Sequence, residues 1–230
     1  MFFEKEFNDV VRDFEANLNE EYKHESYSFL GSPLMKSDYL VVGNNWGGDK
    51  TIEPQREMPV TNDILDPENK NSKTYSGYIK FFITLFHGDK SKAESFLLHA
   101  VYANACFIRT PNQSKKFKDM LNYGYKYSRN FLKRITLLVS PKVIICFGNG
   151  ENPTCASTIA NFLGIREDYW TEKNIERIPL INSFNSYIME GEFGSNRIKV
   201  FSFPHASRYH LWSSSLANTK SFIELMNGVK

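Results

Sequence analysis

The sequence predicts a three-layer α/β/α domain around a central, mainly parallel sheet of four to five strands. Three observations lead there. Four short segments are apolar without alternation, as strands covered on both faces are. Helical patterns lie between them, and alternating β and α elements imply a doubly wound sheet. No internal repeat, low-complexity tract or Pro/Gly/Ser-rich linker divides the 230 residues, so the chain reads as one domain spanning 1–230.

In order along the chain, residues 1–20 place Phe3, Phe7, Val10, Val11, Phe14 and Leu18 at helical spacing, which predicts an amphipathic helix packed on the domain. Its acids stand where a secretory leader needs basic residues, so a cytoplasmic location is expected. The strand segments are 39–43 (YLVVG), 100–108 (AVYANACFI), 142–147 (KVIICF) and 198–203 (IKVFSF), with a weaker fifth at 178–181. Helices are expected over 78–86, 117–139, 154–163 and 213–226. In the long one, Tyr127, Phe131, Leu132, Ile135 and Leu138 share a face opposite Lys126, Arg129, Lys133 and Arg134.

Composition narrows the function classes. Hydrophobic residues at 41% and charged residues at 23% exclude disordered and collagen-like chains. No run of eighteen apolar residues occurs, so no membrane partner is expected. A net charge of +2 means that any nucleic-acid contact must come from a local patch. Cys106, Cys146 and Cys155 form no C-x-x-C pair, and read as reduced, mostly buried thiols rather than a disulfide or zinc framework.

Open parallel sheets bind ligands beyond the carboxyl ends of their strands. The first strand runs into Gly43-Asn44-Asn45-Trp46-Gly47-Gly48-Asp49, where the glycines allow a tight turn and close backbone approach to a ligand. Asn45 would turn its amide into the pocket; an ordinary Asn-Gly turn is the alternative. Asn104 lies among apolar neighbours in the second strand, where its amide must be bonded or must read a ligand edge. The last strand ends in Pro204-His205-Ala206-Ser207-Arg208-Tyr209-His210, crowding two histidines, a serine and an arginine together. No Walker A, G-x-G-x-x-G or G-x-S-x-G sequence is present, and His205 and His210 lack a third metal ligand, so no metal or cofactor is expected.

Taken in order, these segments resemble the uracil-DNA glycosylase superfamily. Gly43-Asn44-Asn45-Trp46-Gly47 looks like the G-x-N-P-G motif of its mismatch-specific and single-strand-selective branches. Thr74-Tyr75-Ser76-Gly77 resembles the P-F-V-G stretch of the iron–sulfur branch. Tyr102-Ala103-Asn104-Ala105 with Arg109-Thr110-Pro111-Asn112 is similar to that branch's Y-x-T-N-x-x-K-C-R-P-P-x-N. The run from Ser140 to Gly148 looks like its P-K-V-I-V-A-L-G strand, and Pro204-His205-Ala206-Ser207 resembles the H-P-S motif. Prolines of two motifs are replaced by Trp46 and Ala206, the four cluster cysteines are absent, and residues 50–73 form a long polar insertion.

The resemblance implies a DNA glycosylase-like hydrolase that releases uracil or a related damaged base. Asn45 would position the attacking water and His205 would donate to the base oxygen. Asn104 would select the base, Tyr75 would stack on it, and Gly43 and Trp46 would complete the base site. Gly47, Ser207, Arg208, Tyr209 and Arg109 would meet DNA, with Tyr209 and Arg208 where the family places a wedge; Lys115, Lys116 and Lys118 would extend a basic rim. A hydrolase of nucleosides, nucleotides or a modified base, and an inactive nucleic-acid-binding module, are the alternatives.

Overall fold

A computed structural model describes residues 2–47, 52–110, 118–150, 153–164 and 175–229. Helix α1 (Glu4–Asn17) buries Phe7, Val10, Val11 and Phe14, the stripe that the sequence marks. The strands are β1 (Tyr39–Asn45), β2 (Val101–Cys106), β3 (Val143–Phe147), β4 (Ile175–Pro179), β5 (Asn185–Phe193) and β6 (Asn196–Phe203). They form one six-stranded sheet in the order β2-β1-β3-β6-β5-β4. The first four run parallel, and β5 and β4 add antiparallel strands at one edge. The sheet is thus one strand larger than the sequence predicts, because β5 mixes Asn, Ser, Glu and Gly with its apolar residues and carries no continuous apolar run.

Both sheet faces are apolar for a reason visible in the pleat. Leu40, Val42, Val101, Ala103, Ile144, Cys146 and Val200 face one way, under α1, α4 (Lys118–Val139) and α5 (Cys155–Phe162). Val41, Tyr102, Ile145, Phe147, Phe201 and Phe203 face the other, under α2 (Lys73–Leu85), α3 (Lys90–His99), α6 (Tyr209–Trp212) and α7 (Lys220–Gly228). This is the three-layer α/β/α arrangement. Three helical regions differ most from expectation, and β4 lies at Ile175–Pro179 rather than 178–181. Helix α2 starts at Lys73, capped by Ser72, so Tyr75 lies in its first turn. Helix α3 has only Ala93, Phe96 and Leu97 buried, too weak a stripe to read. The expected helix over 213–226 is broken at Thr219, which is extended and bonds the Leu216 carbonyl.

Residues 50–73 are no loose insertion where they are described. Gln55 accepts from Phe29 N–H at 2.7 Å and Leu30 N–H at 3.0 Å and donates to Leu30 O at 2.8 Å, closing the backbone of a segment that bridges to β2. Asn62 is buried and donates to Leu97 O at 2.7 Å, and Asp63 N–H donates to Gly31 O at 2.6 Å. Gln55 and Asp63 thus brace the stretch 27–31, which bonds to β2 and shields that sheet edge from further pairing. Among the described residues no helix is long and apolar enough to cross a membrane.

Candidate functional site

A cleft of about 1070 Å³ opens at the carboxyl ends of β1, β2, β3 and β6. Asn45, Trp46 and Gly47 enter it from β1, Asn104 and Arg109 from β2, and His205, Ser207 and Arg208 from the turn after β6; Tyr75 comes from α2. Nine of the sequence-derived residues, Asn45, Trp46, Gly47, Tyr75, Asn104, Arg109, His205, Ser207 and Arg208, therefore line one cleft, and Gly43 and Tyr209 do not. Strand ends far apart in order are brought together by parallel pairing, with Gly43 beside Asn104 and Asn45 beside Cys106. The turn after β3 adds Gly148, Asn149 and Gly150, whose neighbours Glu151 and Asn152 lie outside the described residues. Gly48, Asp49, Pro111, Asn112, Lys115 and Lys116 also lie outside them.

His205 is the most fully specified group. Its Nδ1 accepts from the Ser207 backbone N–H at 3.3 Å and stands 2.8 Å from Ser207 Oγ. A backbone N–H can only donate, so Nδ1 carries no proton and the neutral ring holds its hydrogen on Nε2. Burial, aided by the Arg208 charge, lowers its pKa to about 4. The ring is thus a neutral donor at physiological pH. Ser207 is spent on fixing this tautomer.

Asn45 donates from Nδ2 to Thr110 Oγ1 at 2.7 Å, which sets the plane of the amide. Asn44 points the other way: its Oδ1 accepts from Cys155 N–H at 2.9 Å, pinning the start of α5 to β1. Thr154 caps that helix in a reciprocal box with Ser157. Asn104 is 2% exposed and shares the β2 face with Tyr102, two residues before it. Gly77 lets α2 reach this end of the sheet, since a Cβ there would sit 2.0 Å from the Ala206 carbonyl oxygen.

Three expectations need correction. Gly43 does not line the cleft; it lies beneath, where a Cβ would stand 2.0 Å from Asn104 Oδ1, so its role is to make room for that amide. Tyr209 is no wedge: it is buried, its hydroxyl is 2.8 Å from Thr84 Oγ1, and its ring packs edge-on against Trp212. The i, i+3 spacing of Tyr209 and Trp212 in a short helix turns both into the core. Arg109 is wall rather than rim: it donates to Gly47 O at 2.9 Å and lies 5.7 Å from the Trp46 ring centroid. Arg208 and Lys118 are exposed.

Sequence reasoning missed Asp63, Tyr78 and Tyr102, all of which line the cleft. Burial pushes the Asp63 carboxyl up to about 6, with Asp66 adding and Arg109 opposing. The hydroxyls of Tyr75, Tyr78 and Tyr102 are all pushed above their ordinary range, chiefly by burial. Tyr102 was legible through its alternation with Asn104; Asp63 sits in a stretch without periodicity. The three cysteines are free and buried. Among the described residues no three His, Cys, Asp or Glu side chains gather as a metal ion requires. No family model matches the chain, and no curated protein matches it.

Proposed function

We propose that the chain is a DNA glycosylase-type hydrolase that cleaves the N-glycosidic bond of uracil or a related damaged base. One observation carries this reading: Asn45, Asn104, His205 and Tyr75, from four separate elements, line a single cleft. Reaching that cleft requires the nucleotide to leave the stack, at about a few kcal/mol. Asn45 then holds a water beneath the anomeric carbon. The base departs with the electrons of the glycosidic bond, and the water oxygen takes its place on the sugar carbon. Negative charge grows on the base oxygen, where the Nε2–H of neutral His205 donates. Such a preset donor contributes most when charge develops in a site shielded from water.

The amide of Asn45 cannot take the water's proton, which passes after bond cleavage to the departed base anion, directly or through solvent. The route is therefore dissociative, and it demands a leaving base able to bear negative charge. Asn104, whose amide also bonds Tyr102, would present its remaining capacity to the base edge, and the Tyr75 ring offers a face for stacking. Arg208, exposed and lining the cleft, would meet a phosphate.

The test is base release from uracil-containing and other deaminated or oxidised oligonucleotides, single- and double-stranded, followed by alkaline cleavage of abasic sites. Release by the wild-type chain supports the reading; its absence for every substrate removes it. A second reading, hydrolysis of a free nucleotide or modified nucleoside, is favoured by the net charge of +2 and by the Asp63 carboxylate inside the cleft. Salt separates the two, because DNA binding weakens steeply with salt and small-molecule binding does not.

A further inference from the structure

At one end of the cleft Asp63, Trp46, Tyr75, Tyr102 and Arg109 lie together, and these residues have no role in the hydrolysis beyond the stacking by Tyr75. The rings are mutually edge-on: Trp46 and Tyr102 have centroids 5.2 Å apart, and Tyr75 and Tyr102 6.4 Å. Among the described residues the two charged groups do not pair with each other. Among the described residues, no hydrogen bond or ion pair reaches the Asp63 carboxylate, although Arg109 is near enough to favour its charge. Arg109 Nε and Trp46 Nε1 are buried without a partner. An anion and a cation sharing an aromatic enclosure would ordinarily close on each other, since leaving buried charges unpaired costs several kcal/mol. Here each residue is anchored to a separate stretch of backbone. Asp63 is tethered by its N–H to Gly31, while Asn69 and the Asp66 N–H hold its carbonyl at 3.0 and 3.3 Å; Arg109 is tied to Gly47.

We infer that this enclosure receives a guanine-type ring, with Asp63 taking its two adjacent N–H donors and determining specificity. An ionised carboxylate only accepts, through two oxygens side by side. Among ordinary bases only guanine presents two neighbouring donors, the ring N1–H and the exocyclic amine, to match them. Uracil, cytosine and adenine each set a lone pair against one carboxylate oxygen. The O6 and N7 acceptors on the next edge of guanine suit a guanidinium, the pairing that arginine makes with guanine elsewhere. The flat faces meet Trp46, Tyr75 and Tyr102. The inference rests on the proposed function only in taking the cleft to receive a nucleobase, and it moves the substrate from uracil toward guanine or a guanine lesion that keeps both donors.

Calorimetric titration of the full chain with dGMP, dIMP and dUMP at pH 8 tests it, because dGMP and dIMP differ only in the exocyclic amine. A hydrogen bond to a charged group is worth about 1.5–3 kcal/mol, so dGMP should bind at least tenfold more tightly than dIMP. D63N should reduce that ratio to about two or less while circular dichroism shows the wild-type fold. Equal affinity for dGMP and dIMP, no binding of dGMP at millimolar concentration, or a D63N variant that keeps the preference overturns the inference. The wild-type comparison decides alone if D63N does not fold. Uracil release without a dGMP preference defeats this inference and leaves the glycosidic reading standing; a dGMP preference without any base release does the reverse.

Discussion

The two walls of the cleft are built on opposite plans. On the His205 side the key polar groups are engaged: Nδ1 by Ser207, Asn45 by Thr110, Asn44 by the start of α5. On the Asp63 side, among the described residues, a carboxylate and a guanidinium stand in an aromatic enclosure without pairing with each other. The first wall is set before any ligand arrives, and preset dipoles are what stabilise charge that appears only in a transition state. The second holds unmet polar capacity, which is what selects a ligand by the cost of mismatching it. On the proposed reading, reaction and selection would occupy different walls.

That division can be broken most readily at His205. H205A should lower base release by about 10²–10³-fold, the range for losing one preset donor, with KM little changed. A fall in affinity with kcat intact would assign His205 to binding instead. N45A follows, with an expected loss of roughly 10²-fold in single-turnover release and an unaltered fold, since its partner Thr110 can rebond to water. Retention of the wild-type rate by N45A would show that the water is held elsewhere.

Protonation gives a sharper contrast. His205, with a folded pKa of about 4, should titrate by NMR far below the ordinary 6.5 and show the Nε2–H tautomer at pH 7; a midpoint near 6.5 would contradict the buried, Ser207-bonded ring. Asp63 works in the other direction. Its folded pKa of about 6 lies above the unfolded value, so its stabilising contribution is complete below about pH 4 and is lost as pH rises through 6. D63N should thus melt at about the wild-type temperature at pH 4, and about 2–4 °C higher at pH 8, for a difference on the order of 1 kcal/mol once solvent in the cleft is allowed for. A D63N chain no more stable than wild type at pH 8 would mean that Asp63 is not strained by burial. Smallest is Y209F. It should change oligonucleotide affinity less than twofold and cost about 1 kcal/mol of stability through the Thr84 bond; a large loss of DNA affinity would restore the wedge.

The same two walls explain what could be read from the chain. Asn45, Asn104 and His205 sit at the ends of β1, β2 and β6, whose continuous apolar runs mark them, and a parallel sheet must gather those ends. Asp63 lies in an irregular segment whose backbone is held by Gln55 and Asn62 side chains rather than by a periodic pattern. A long-range contact of this kind leaves no local signature. Strand β5 was hidden for a related reason: as an antiparallel neighbour near the sheet edge it tolerates Glu190 and Glu192, which break the apolar run. Helix α2 was read too short because its first turn, Lys73 to Ser76, is polar but for Tyr75, and that turn faces the cleft.

The central claim is that the cleft breaks a bond between base and sugar. Mass spectrometry of an oligonucleotide after incubation with the wild-type chain tests it most directly. The expected products are a free base and an intact strand heavier by one water and lighter by that base, in equal amounts, with neither formed by H205A. An unchanged strand, or one cut at its phosphodiester backbone, would contradict the account.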